Sequence, residues 1–166
     1  ETAKVIAQEL KCHTWDLILF GRMAIDDYNH QVGVLVAELL GLPCVSAVSH
    51  LDIDGTKGVA EREIEGGNQE ISEIELPCVL SIQTGINEPR YVGIRGIRKV
   101  ASVEIPVWNA AALGVEAASV GRAGARVKRL DYFVPPAGAG AEMLQGSADE
   151  MAAKLIDLLK AKGGLK

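Results

Sequence analysis

Residues 21–33 read GRMAIDDYNHQVG, and what flanks them decides the fold. Before them, Asp16–Phe20 is a short apolar run of strand length; after them, Gln31–Leu40 carries apolar residues at helical spacing. Val32, Val34, Leu35, Leu39 and Leu40 are expected to form the buried face of that helix. Gly41 is a natural stop, Pro43 prevents continuation, and Pro43–His50 reads as a buried, β-branched strand. Strand, helix and strand over Asp16–His50 predict a right-handed parallel crossover. Ligands of such sheets bind beyond the carboxyl ends of the strands, which is where Gly21–Asp27 falls. The loop chemistry suits an anion: Gly21 permits a sharp turn, and the first amides of the following helix point into the loop. The same loop also allows a plainer role, with Asp26, Asp27 or Asn29 capping the helix.

Composition narrows the function classes. The chain has 166 residues, 48% hydrophobic, 23% charged and 4% aromatic, with a formal net charge of −5. An acidic chain poor in aromatics is not built to bind nucleic acid, which calls for a basic surface and stacking rings. No apolar run approaches the roughly 20 residues of a membrane-spanning helix. Cys12, Cys44 and Cys78 are scattered and odd in number, and His13, His30 and His50 lack helical metal-site spacing, so no metal centre is expected. Cys44 and Cys78 sit in apolar runs and read as small buried hydrophobes. No nucleophile–base pair stands out, and no catalytic residue is assigned.

Upstream, ETAKVIAQELKC reads as a helix with Val5, Ile6 and Leu10 on one face. A helix feeding straight into a strand is half of a βαβ unit, which suggests a C-terminal piece of a longer α/β chain. Downstream the texture changes to hairpins. Asp54-Gly55 and Gly66-Gly67 are turn signals around strands Gly58–Glu65 and Asn68–Leu76, and Pro77–Gln83 is a further buried strand. Glu61–Glu65 is charged at alternate positions, as on a solvated strand face. Asn87 is placed to cap a helix with Pro89 in its first turn, running through Ile94, Ile97 and Val100; Arg90, Arg95, Arg98 and Lys99 give it a basic patch. Beyond Ser102 compact periodicity is lost: residues 105–125 are small and Gly-rich with few large core residues, and residues 132–146, with Pro135-Pro136, Gly138 and Gly140, read as an extended segment that cannot form a core by itself. An amphipathic helix, Ser147–Lys160, ends the chain, with Ser147 and Glu150 at capping-box spacing and Met151, Leu155, Ile156, Leu158 and Leu159 on its apolar face. Residues 1–100 are thus read as an α/β domain, incomplete at its start and ending in a recognition segment at 84–100. Residues 101–166 are read as an arm and helix that wrap a partner.

Three blocks, GRMAIDDxxxQ at 21–31, EREIEGG at 61–67 and NEPRY at 87–91, with a weaker match at Leu113-Gly114-Val115, resemble the β subunit of electron transfer flavoproteins over its C-terminal two-thirds. The resemblance implies a partial parallel-sheet nucleotide-binding domain, adenine nucleotide alpha hydrolase-like, with a hairpin region and an extended C-terminal arm. It implies an electron carrier rather than an enzyme, in a heterodimer with an α subunit. Such carriers move electrons through a shared FAD from acyl-CoA or related dehydrogenases, as in fatty acid oxidation, to a quinone reductase. The β site would hold AMP or a second FAD, contacted by Gly21, Arg22, Met23, Ala24, Ile25, Asp26, Asp27, His30, Gln31 and Val32. Asp27, His30, Gln31 and Val32 would line the phosphate. His30-Gln31-Val32 departs from the Asn-Gln-Thr of AMP-type members, and the Gln-Val-Gly order is similar to electron-bifurcating ones, so both nucleotides stay open. Glu63 corresponds to an acidic residue facing the α subunit near the flavin. Asn87, Glu88, Pro89, Arg90, Tyr91, Ile94 and Lys99 correspond to the partner-recognition segment, with Ile94 as an apolar anchor. The implied compartment is a bacterial cytoplasm or a mitochondrial matrix.

A second class remains: an adenine-nucleotide hydrolase or transferase of the same architecture, with Asp26 and Asp27 on Mg²⁺. The NEPRY segment and the long arm separate the two, since a self-contained hydrolase needs neither. A third reading is a fragment that binds nothing, half of its nucleotide site being absent.

Overall fold

The structure is a computed structural model, and it describes residues 1–138 and 140–165. The chain divides into two compact units, residues 1–128 and residues 129–166.

The first unit is built on a five-stranded sheet. Its elements are α1 (Thr2–Leu10), β1 (Leu17–Gly21), α2 (Val32–Leu40), β2 (Cys44–Asp54), β3 (Lys57–Ile64), β4 (Asn68–Glu75), β5 (Cys78–Ile82), α3 (Ile94–Val100) and a single turn, α4 (Gly121–Gly124). Strand order is β1-β5-β2-β3-β4. β5 runs parallel to both β1 and β2, so β1 and β2 are parallel with β5 inserted between them. The β2–β3 and β3–β4 pairs are antiparallel, as the turn signals predict. Gly55, at φ +59°, opens the two-residue link from Asp54 to Lys57, and Gly66 and Gly67 take the left-handed conformation at the next turn.

β5 is the middle one of the three parallel strands, and its residues Cys78, Val79, Leu80 and Ser81 are all buried, as in parallel strands covered on both faces. On one face Val79 packs with Ile18 of β1 and Ala37 of α2; on the other, Leu80 and Cys78 pack with Val48, Ala60 and Ile74. Ala3 and Ala7 of α1 close against Val36 of α2.

The buried face of α2 matches the expected one only in part: Val32 and Leu40 pack half-buried against Ala3, Ala7 and Val36. Gly33, Val36 and Ala37 face inward at i, i+3, i+4 spacing, with Leu40 half-buried one turn on, whereas Val34, Leu35 and Leu39 are exposed. Small residues win the inner face because they let the helix axis come close to β1. A Cβ on Gly33 would lie 3.1 Å from Phe20 Cβ and 3.2 Å from its Cγ.

The helix α3 also starts later than expected. Gly93, not Asn87, is the N-cap of α3, and Asn87–Val92 precede it without helical structure. Pro89 holds Glu88 out of the helical region, and Tyr91, Val92 and Gly93 are poor helix formers. In the second unit the expected capping box is present at α5 (Ala148–Ala161): Ser147 Oγ accepts from the Glu150 amide, and Glu150 Oε2 accepts from the Ser147 amide at 2.8 Å.

Candidate functional site

The loop of residues 22–31 leaves the sheet where β1 and β5 end side by side. Gly21 pairs with Ile82, and the Arg22 amide extends that ladder by donating to the Ile82 carbonyl at 3.1 Å. The loop then folds on itself. The Tyr28 amide donates to Ala24 O at 3.0 Å, and Asp27 Oδ1 accepts from the Asn29 amide at 3.1 Å. Tyr28 (φ +56°) and His30 (φ +57°) are both left-handed, a conformation that costs residues with bulky side chains on the order of 1 kcal/mol or more each. Their rings meet edge to face at 5.3 Å.

One guanidinium ties three chain segments together here. Arg22 Nε donates to His30 Nδ1 at 3.3 Å, and Arg22 Nη1 donates to Gln83 Oε1 at 2.7 Å. Acceptance at Nδ1 leaves the imidazole proton on Nε2. Gln83 is itself fixed, its amide donating to Val48 O at 2.8 Å. Two of the five guanidinium donors are taken, and among the described residues Arg22 has no carboxylate partner.

The start of α2 lies at the other end of the loop. Its N-cap is Gln31, and no side chain caps it. The plainer role for Asp26, Asp27 and Asn29 therefore does not hold: Asp27 closes a local turn with Asn29 instead. The first amides of α2 are left without side-chain partners, with a positive helix end behind them. A tethered cation, uncapped amides and the close helix–strand approach at Gly33 form an arrangement that fits an anionic phosphate. Met23, Ile25 and Tyr28 are exposed apolar residues along the same loop. Among the described residues, no group of three or more His, Cys, Asp or Glu is placed to hold a metal ion.

The structure brings Arg22 and His30 together in one hydrogen-bonded cluster within the Gly21–Val32 loop. Glu63 lies elsewhere, exposed on β3 and paired with Gln69 of β4, with β5 and β2 between its strand and β1. Asn87–Tyr91 follow β5 as an exposed segment, Tyr91 being 97% accessible, and Ile94 is 67% accessible at the start of α3. Lys99 lies in the last turn of α3; among the described residues neither it nor Arg90, Arg95 or Arg98 enters an ion pair.

Two residues escaped the sequence reading. Gln83 could be recognised only once strand order put the end of β5 beside β1. Arg62 was hidden in a charged run, but alternation turns it away from Glu61 and Glu63. It makes a two-pronged contact with Glu70 at 2.9 and 3.2 Å and reaches Ser46 Oγ at 3.2 Å. The bond from Glu70 raises the Arg62 pKa further. Burial pushes the Cys44 and Cys78 thiols up; Cys78 is buried in the core as expected, whereas Cys44 is half-buried.

Comparison with known proteins decides the lineage. Residues 1–113 match the electron transfer flavoprotein domain. The chain belongs to the electron transfer flavoprotein family. It is 34% identical over 160 residues to the electron transfer flavoprotein subunit beta of Bacillus subtilis, covering 96% of this chain and 61% of that one. Identity is 37% over 158 residues to the corresponding subunit of Syntrophomonas wolfei, covering 95% and 58%. A third relative is the caffeyl-CoA reductase-Etf complex subunit CarD of Acetobacterium woodii, 35% identical over 148 residues, covering 89% and 56%. The chain thus spans about three-fifths of the length of these relatives. The β-subunit resemblance carried by the three sequence blocks is confirmed, as is the mixed α/β fold; no helix is long and apolar enough to cross a membrane among the described residues.

Proposed function

We propose that this chain acts as the β subunit of an electron transfer flavoprotein, pairing with an α subunit. The complex would carry electrons through a shared FAD from an acyl-CoA or related dehydrogenase to a quinone reductase. The flavin supplies the redox chemistry; this chain's residues bind, orient and dock. AMP or a second FAD would sit with its phosphate at the Gly21–Val32 loop. The observation that carries this reading is the Arg22 guanidinium, tethered and without a carboxylate partner beside the uncapped start of α2.

Other parts of the chain support the assembly role. Ile94 and Tyr91 are exposed apolar side chains among Arg90, Arg95, Arg98 and Lys99, an apolar centre with a charged rim that suits a transient interface. Asn87, Glu88 and Pro89 would shape the approach to it. Glu63, exposed on β3, would face the α subunit on the flavin side; an exposed pair of that kind contributes little to stability, about 0–1 kcal/mol, and releases easily. Residues 101–166 would wrap the α subunit, consistent with the high exposure of Ile105, Val107, Val127 and Leu130.

Co-expression with an α subunit tests the reading. The expected result is a stable 1:1 complex that carries a flavin spectrum and is reduced by an acyl-CoA dehydrogenase with its substrate. Substituting Ile94→Ala or Arg95→Glu should slow that reduction and leave the complex assembled. A chain that neither associates with an α subunit nor supports flavin reduction would overturn it.

A further inference from the structure

We propose that Gln83 is a positioning residue of the phosphate site: its neutral carboxamide holds the Arg22 guanidinium at the ends of β1 and β5 without cancelling its charge. The proposal rests on the phosphate reading of the Gly21–Val32 loop.

Arg22 is unusual in its choice of partners. The chain is acidic, at −5 overall, yet this exposed arginine has no carboxylate partner among the described residues, although Asp26 and Asp27 lie in its own loop. Its two protein partners are both neutral acceptors, Gln83 Oε1 at 2.7 Å and His30 Nδ1 at 3.3 Å. A carboxylate in place of Gln83 would make a stronger, charge-assisted bond. It would also neutralise the guanidinium and leave an anionic ligand little to meet. A carboxamide fixes the side chain and keeps the charge.

The tether is rigid at both ends. The Gln83 amide continues the sheet by donating to Val48 O at 2.8 Å, and the Arg22 amide does the same to Ile82 O at 3.1 Å. The guanidinium is therefore held by two adjoining strand ends and by the His30 side of the loop. A free arginine would give up rotamer freedom on meeting a phosphate, and prior tethering removes much of that cost. Three donors of the planar fork remain without a partner among the described residues, a geometry suited to phosphate oxygens.

The test uses the complex containing this chain, stripped of its β-site nucleotide and titrated calorimetrically with AMP and with adenosine. The readout is the ratio of the two affinities, which isolates the phosphate. Gln83→Met removes the acceptor at similar volume and should lower the ratio about five- to tenfold. The same substitution made in an Arg22→Met background should change the ratio no further. Gln83→Glu keeps Arg22 in place but cancels its charge, and should lower the ratio about tenfold. If Gln83→Met acts equally with and without Arg22, or if Gln83→Glu leaves the ratio unchanged, the positioning role is overturned. If the wild-type complex binds AMP no tighter than adenosine, the phosphate reading itself fails, which is a separate outcome.

Discussion

Substituting Gly33→Ala puts the helix–strand contact beneath the loop to a direct test. The added methyl would lie 3.1 Å from Phe20 Cβ, 3.2 Å from Cγ and 3.3 Å from Cδ2, all inside ordinary van der Waals separation. The ring atoms can turn away, but Cβ is fixed to the β1 backbone. That contact is relieved only if α2 or β1 shifts by a few tenths of an ångström. Overpacking of this kind costs about 1–3 kcal/mol. Against it, exchanging glycine for alanine returns at most about 1 kcal/mol through the unfolded chain. The net expectation is a loss of about 1–2 kcal/mol, which lowers the melting temperature by roughly 2–8 °C for a chain of this size. Calorimetry or circular dichroism on the complex measures it, and Gly33→Val should be worse. Because the shift moves the start of α2, nucleotide should also be released more readily. A Gly33→Ala protein that melts at or above wild type would refute the packing argument.

Three further perturbations follow from the same structure. Gly58→Ala would place Cβ 2.5 Å from the Asp52 carbonyl oxygen, which is backbone and cannot yield, so the β2–β3 hairpin must open at a cost of about 2–3 kcal/mol or more, visible as an early unfolding step in hydrogen exchange. Glu70→Gln breaks the charge of the cross-strand contact with Arg62; both partners are partly exposed, so after allowance for solvent screening the loss is about 1 kcal/mol, and it should shrink at high salt. At the head of α5, the Ser147 amide and hydroxyl hold the Glu150 carboxyl below its ordinary pKa. A lowered folded-state pKa means that the cap is fully present above the ordinary glutamate range and is lost as the pH falls through the lowered value. Fraying at residues 147–150 should therefore appear only on acidification below that range, and NMR amide shifts of Ser147 and Glu150 follow it.

Much of the fold could be read from local patterns because its signals are local. The Asp54-Gly55 and Gly66-Gly67 turns, the apolar Cys78–Ile82 strand and the Ser147–Glu150 capping box each lie within a few residues of one another. What could not be read depends on strand order and on packing distance. Nothing in the sequence says that β5 inserts between β1 and β2, so the Gln83–Arg22 tether was invisible. The inward face of α2 was read only in part because large apolar residues were favoured, whereas proximity to Phe20 selects Gly33 and Ala37. The α3 start was misplaced because Pro89 suits a first helical turn, but the three residues before Ile94 resist helix formation. Arg62 showed only as one charge among several until alternation and pairing gave it Glu70.

The central claim is that the Gly21–Val32 loop holds the phosphate of an adenine nucleotide. The measurement that tests it most directly is to denature the native complex, quantify the released FAD and AMP per heterodimer, and repeat this with Arg22→Met. The account predicts one FAD plus one further adenine nucleotide, AMP or a second FAD, and loss of that second nucleotide in the variant. A wild-type complex that releases only one FAD, or an Arg22→Met complex that retains both nucleotides at full occupancy, would contradict it.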